Sequence, residues 1–210
     1  MPRDHSAAEY LPDRISLTTL RDAVQRCRGC DLYKEATQAI FGEGLKRSHI
    51  MMVGEQPGDQ EDRHGKPFIG PAGAELNRSL DEAGIDRDEV FVTNAVKHFK
   101  WEPRGKRRLH KKPSSKELAA CRPWLEAELS VVMPTFLVAL GATAAKALYG
   151  NDFRVTKQRG KLFETQWAPK CMGTLHPSSI LRSPDSQSRR AAREAFVEDL
   201  RVLAEAMAAS

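Results

Sequence analysis

The stretch Ile50-Met51-Met52-Val53-Gly54-Glu55-Gln56-Pro57-Gly58-Asp59 decides how the rest of the chain reads. Four apolar residues make a run suited to a short buried strand. Glycine, proline and polar side chains follow at once. A buried strand that runs into such a loop is where open α/β sheets bind ligands, outside the carboxyl ends of the strands. Gly54 and Gly58 allow a tight turn and close backbone approach, and Pro57 stiffens the loop between them. Glu55, Gln56 and Asp59 then offer two carboxylates and an amide to a crevice. A plain strand-to-helix turn fits the same residues, so the other segments must choose.

Three more apolar runs carry similar endings. Val90-Phe91-Val92-Thr93-Asn94 ends in an amide. An Asn there is either a turn former or a reader of an imide edge such as that of uracil, since it donates and accepts side by side. Thr135 to Leu140 runs into Gly141-Ala142, and Cys171 to Leu175 runs into His176-Pro177-Ser178-Ser179-Ile180-Leu181-Arg182. Ser178 and Ser179 offer hydroxyls and backbone N–H groups to a phosphate. A further short strand is expected over Lys161 to Phe163. Between the strands the apolar spacing is helical. Leu17, Leu20, Val24 and Cys27 predict a first helix, 72–83 a second, and the segment from Ser115 a long third. Thr143 to Leu148 and Arg189 to Ala208 follow. The alternation marks an α/β chain.

At 210 residues the chain is read as one domain over 1–210, with 1–15 as a loose arm. A net charge of +5 and a pI near 9.1 suit an anionic partner. No apolar run is long enough to cross a membrane, and Met1 to Asp13 lacks a signal-peptide core. A cytoplasmic location is therefore expected, with the four cysteines reduced.

Cys27-Arg28-Gly29-Cys30 places two thiols where they can grip one metal or one cluster. It does not follow a strand, which argues against a thioredoxin-like pair. Such a site needs two more ligands, and Cys121 is either one of them or a core thiol. Gly65-Lys66-Pro67-Phe68-Ile69-Gly70-Pro71-Ala72-Gly73 is a loop by its glycines and prolines. Phe68 within it is either a local plug or a stacking surface for a base. Residues 97–113 are the most basic segment, with aromatics interleaved, and favour a nucleic-acid contact over a merely solvated loop. His110 stands among Lys106, Arg107, Arg108, Lys111 and Lys112. These cations are expected to keep its ring neutral, fit to act as base or nucleophile. A phosphate contact is the alternative role.

Gly54-Glu55-Gln56-Pro57-Gly58, Thr93-Asn94-Ala95-Val96-Lys97 and His176-Pro177-Ser178-Ser179, with the Phe68 loop and the Cys27–Cys30 pair, resemble the iron–sulfur uracil-DNA glycosylases of family four. The resemblance runs from about Cys27 to the terminal helix. It implies a three-layer α/β/α sandwich with a central, mostly parallel four-stranded sheet. It also implies uracil-containing DNA as partner, with single strands preferred, and a monomer. Gln56 departs from the usual Gly or Ala of that motif, and Lys106-Arg107-Arg108-Leu109-His110 is an insertion. Both departures are similar to UdgX, the branch that joins itself covalently to DNA. His98 stands where the family has a third cysteine. The resemblance thus implies Cys27, Cys30, His98 and Cys121 around a [4Fe–4S] cluster, although the same donors suit zinc. Cys171 is expected to be a core thiol.

By the same resemblance Phe68 stacks on the base and Asn94 reads its edge. His176 stabilises the charge that the base gathers on leaving, and His110 captures C1′ of the sugar. Glu55 orients His110, and Gln56 and Asp59 line the crevice. Gly54, Gly58, Ser178, Ser179 and Arg107 complete the substrate contacts. A turnover glycosylase, a uracil-DNA sensor without chemistry and a redox protein are the rival readings.

Overall fold

The computed structural model describes residues 6–209. Its strands are Ile50–Gly54 (β1), Val90–Asn94 (β2), Trp101–Arg104 (β3), Arg107–His110 (β4), Phe136–Leu140 (β5) and Lys170–Thr174 (β6). Its α-helices are Leu17–Val24 (α1), Asp59–His64 (α2), Pro71–Glu82 (α3), Ser115–Val132 (α4), Gly141–Tyr149 (α5), Val155–Gln158 (α6), Pro177–Leu181 (α7) and Ser186–Ala208 (α8).

Four strands pair in the order β2-β1-β5-β6, and every pairing is parallel. A parallel sheet needs helices on both faces, which is why its strands read as near-continuous apolar runs. Alternate residues then feed two cores. Met51, Val53, Phe91, Leu137 and Ala139 pack with α1, α4 and α5, while Ile50, Met52, Val92, Val138 and Met172 pack with α3 and α8. The result is the expected three-layer α/β/α sandwich.

The helix ends follow local chemistry. Ser114 caps α4 by accepting from the Glu117 N–H, and the Glu117 carboxylate returns to the Ser114 N–H. Asp185 caps α8 through the Ser188 N–H. Pro71 opens α3 at a position where its missing N–H costs nothing.

From β1 the chain goes to one side for β2 and to the other for β5, so the border between β1 and β5 is a topological switch point. Gly54 stands level with Asn94, and Leu140 with Thr174. The loops after β1, β2, β5 and β6 therefore open on one edge.

Three expectations change. The segment 97–113 is not an open loop, because β3 and β4 form an antiparallel hairpin in which Trp101 faces His110. Gly105, at φ 59°, supplies the left-handed residue its tight turn needs. No strand spans Lys161 to Phe163, since only Phe163 bridges to Cys171. The arm expected over 1–15 is docked where it is described. Ala7 is buried, its N–H donates to the Ala120 carbonyl at 2.8 Å, and Tyr10 and Leu11 pack on the core. The sequence reading missed that these apolar side chains had somewhere to go. Residues 1–5 of that arm lie outside the described residues.

Candidate active site

The strand-end loops enclose a cleft of about 890 Å³. Glu55, Gln56, Gly58, Phe68, Asn94, His110, His176, Ser178 and Ser179 all line it. Asn94 ends β2, and among the described residues its hydrogen bonds use its backbone, which leaves the side-chain amide to the cleft. The Phe68 ring and the Asn94 amide converge above Gly54. A Cβ at Gly54 would lie 2.4 Å from Asn94 Oδ1 and 2.8 Å from Phe68 Cζ. Gly54 thus serves the site by making room for two side chains, rather than by touching a ligand.

Phe68 holds a left-handed backbone, φ 55°, which costs free energy for a residue with a Cβ. Two neighbours hold it there. α3 presses against its carbonyl so closely that a Cβ at Gly73 would overlap the oxygen at 1.6 Å. Glu61, itself buried, accepts from the Gly58 N–H at 2.9 Å and the Gly70 N–H at 3.1 Å. One carboxylate therefore ties the polar loop to the Phe68 loop. Gly58 is required for the same reason, since a Cβ there would strike Glu61 Oε2.

His176 lies across the cleft, its ring 6.4 Å from that of Phe68 and nearly parallel to it. Its Nδ1 accepts from the Ser178 N–H at 3.1 Å, so the neutral ring carries its proton on Nε2. Burial pushes its pKa down to about 4, with the Arg182 guanidinium and His110 adding to the effect. The ring is a neutral N–H donor near pH 7. The Ser178 hydroxyl meets the same Nδ1, and the Ser179 hydroxyl donates to the His176 carbonyl. Both serines, expected to offer hydroxyls to a phosphate, thus also hold the histidine while lining the cleft.

The hairpin brings His110 to the cleft. Its Nε2 lies 3.5 Å from Glu55 Oε1, and its ring packs 6.1 Å from that of buried Phe99. Its pKa is lowered chiefly by burial; Glu55 opposes this and Arg182 reinforces it. The cations expected to do this are not among the leading causes: Arg108 is paired with Asp59 and Asp62, and Lys111 with Glu102. Arg107, expected at the substrate, is exposed on the hairpin and does not line the cleft. Arg108 is the half-buried one. Its guanidinium reaches Asp59 at 2.5 Å and the fully buried Asp62 at 2.7 Å, and lies over the Phe99 and Trp101 rings. Asp59 is therefore turned away from the cleft, held by Arg108 and Arg63 below the usual carboxylate range despite some burial. Gln56 does line the cleft, yet its amide is already used. Nε2 donates to the Lys100 and Lys111 carbonyls, and Oε1 accepts from the Lys100 N–H, each at 3.1 Å. Gln56 and Asp59, both expected to line the crevice, differ: Gln56 does so while anchoring the hairpin, and Asp59 anchors the hairpin outside it.

On the far side of β1, Cys27, Cys30, Cys121 and His98 are all buried. Cys27 Sγ accepts from the Trp124 indole N–H, and Cys121 Sγ from the Lys97 N–H, both at 3.2 Å. Burial pushes Cys121 up to about 12 and lowers His98 to about 4, so the imidazole is neutral and free to ligate. Among the described residues no three His, Cys, Asp or Glu side chains are grouped as a metal site. Cys171 is a core thiol beside Thr165.

The uracil DNA glycosylase superfamily model matches residues 41–201. The chain belongs to that superfamily. It is 36% identical over 178 residues to a type-4 uracil-DNA glycosylase of Sulfurisphaera tokodaii, covering 81% of this chain and 78% of that protein. It is 37% identical over 170 residues to the type-4 enzyme of Thermotoga maritima, covering 80% and 85%. A type-5 uracil-DNA glycosylase of Thermus thermophilus is 30% identical over 181 residues, with 77% of each chain covered.

Within this superfamily member, three site residues escaped the sequence reading. Glu61 had a signal, the Gly58-x-x-Glu61 spacing of a helix N-terminal box. Arg108 and Asp62 had none, because their pairing joins residues 46 apart in sequence. One Gln56 amide thus binds the chain on both sides of the hairpin, just before β3 and just after β4.

Proposed function

We propose that this chain excises uracil from DNA and then joins its own His110 to C1′ of the sugar left behind, as members of the UdgX branch do. The single observation that carries the reading is the placement of His110. It lines the same cleft as Phe68, Asn94 and His176, 3.5 Å from Glu55, on a hairpin fixed by Arg108 and Gln56. The relatives' names supply the substrate.

A flipped uracil stacks on Phe68 while Asn94 pairs with its imide edge. Unstacking is cheapest in single strands, which makes single-stranded DNA the preferred substrate of a monomeric enzyme. As the C1′–N1 bond breaks, the bonding pair goes to the base. The His176 Nε2–H, already aimed and neutral, stabilises that anion. The sugar cation at C1′ is then taken by a His110 lone pair, because a tethered ring competes at high effective concentration. The ring becomes cationic beside Glu55 and sheds its N–H proton; the uracil anion gains one. A neutral N-alkyl imidazole leaves carbon slowly, so one protein is used per uracil. A turnover reading draws on one feature: the His110 side chain is 47% exposed, so water reaches the same mouth.

We further propose a [4Fe–4S] cluster on Cys27, Cys30, His98 and Cys121. Buried thiols that accept N–H bonds at sulfur, with a neutral imidazole beside them, suit such a group. When bound, it would cross-link the segment after α1, the segment after β2 and α4.

The test is to mix the protein with a uracil-containing single-stranded oligonucleotide. Intact mass is expected to equal protein plus oligonucleotide less one uracil, and the species should survive denaturing electrophoresis. His110→Ser should lose the adduct and still release uracil. Cross-linking by His110→Ser would refute the assignment.

A further inference from the structure

Lys97 and Glu128 form an ion pair with neither side chain exposed, Nζ to Oε2 at 2.6 Å. Neither excision nor capture uses it. Apolar residues of similar bulk commonly replace such a pair without loss of stability, so packing alone does not explain it. Its wiring does. Lys97 Nζ donates to Glu128, to Thr93 Oγ1 at 2.7 Å and to the Asn94 carbonyl at 2.8 Å. Thr93 Oγ1 donates in turn to Glu128, whose Oε1 accepts from the Gly42 N–H at 3.0 Å. Every proton of the ammonium is placed, and one of them fixes the peptide plane that leaves Asn94. That plane sets the backbone of Asn94 and hence the direction of its amide. The Lys97 N–H, meanwhile, is bound to Cys121 Sγ.

We propose that Lys97 is a positioning residue, which aims the Asn94 amide at the base through the Asn94 carbonyl, with Glu128 as its anchor on α4. The inference rests on the reading that the cleft takes a uracil base. It assigns to a buried charge the fine placement of a polar group that must meet the base edge within a fraction of an ångström.

The test is a double-mutant cycle on single-turnover uracil release. Lys97→Met with Glu128→Leu removes the pair without orphaning either charge. This variant should keep its metal content and its affinity for uracil-free single strands, and lose on the order of 10- to 100-fold in release rate. Asn94→Ala should then cost far less in that background than in the wild type, because its aim is already lost. Full additivity, or loss of metal from the paired variant, would overturn the proposal in favour of a structural pair. If the paired variant does not fold, Thr93→Val, which cuts one link isosterically, takes its place in the cycle. Coupling to Asn94→Ala is expected there too, and additivity would again overturn the proposal. A wild-type protein that releases no uracil would instead refute the proposed activity itself, and this inference with it.

Discussion

Two imidazoles face one cleft, and burial, reinforced by the Arg182 guanidinium, lowers the pKa of both, to different ends. His176 is pinned by the Ser178 N–H on Nδ1, so protonating it means breaking that bond as well as charging a buried ring. Its pKa of about 4 lies below the ordinary value of 6.5. Between those pH values the unfolded chain binds more protons than the folded one. Stability must therefore rise as pH climbs from about 4 to about 6.5 and stay level above. Denaturant titrations across that window should show this slope in the wild type and a shallower one in His176→Asn. His110 is exposed enough to meet a substrate, and its lowered pKa leaves a lone pair available near neutrality. The basic neighbours visible in the sequence suggested the right direction for His110 and the wrong cause.

The β3–β4 hairpin is the element that carries His110 to the cleft. It is held at its base by the Gln56 amide and along one strand by Arg108. That guanidinium bridges two carboxylates, one of them fully buried. Removing Arg108 leaves Asp62 buried with one charge partner fewer and frees the strand that carries His110. Arg108→Ala should lower adduct formed per uracil released on the order of 10- to 100-fold, since capture depends on placement. Uracil release itself should change only severalfold, because Phe68, Asn94 and His176 stand on other elements. Arg108→Lys should fall between, as an ammonium cannot bridge both acids. Quantifying free uracil and cross-linked protein in the same reaction checks all three.

At the scale of the whole molecule, the cleft opens at the carboxyl edge of the sheet, and the cysteines lie in the core that packs with α1 and α4. The thiols after α1 and on α4, with His98 beyond β2, gather three distant segments under the docked residues 6–11. The backbone of Ala7 lies against Gly29 between the two thiols, so that a Cβ there would come within 2.7 Å. A group bound to those donors contributes its binding energy to folding. Its removal by chelation should lower Tm by about 10 °C, taking several kcal/mol for the site and roughly 2–4 °C per kcal/mol at this chain length. Thermal melts before and after removal, with iron quantified, measure this.

The sequence alone determined the sheet and its functional edge. Short unbroken apolar runs, each ending in glycine or polar residues, read as strands buried on both faces, with Gly, Asn and His at their ends placed at the rim. It named Phe68, Asn94, His110 and His176, whose residue types announce their chemistry. Tertiary structure alone decided which polar groups remain free for a ligand. Asp59, Gln56, Ser178 and Ser179 look like site residues in a line of text, and folding uses their hydrogen-bonding capacity on Arg108, the hairpin and His176. The physical reason is that a polar side chain serves whichever partner the fold brings within about 3 Å, and sequence distance does not report that separation.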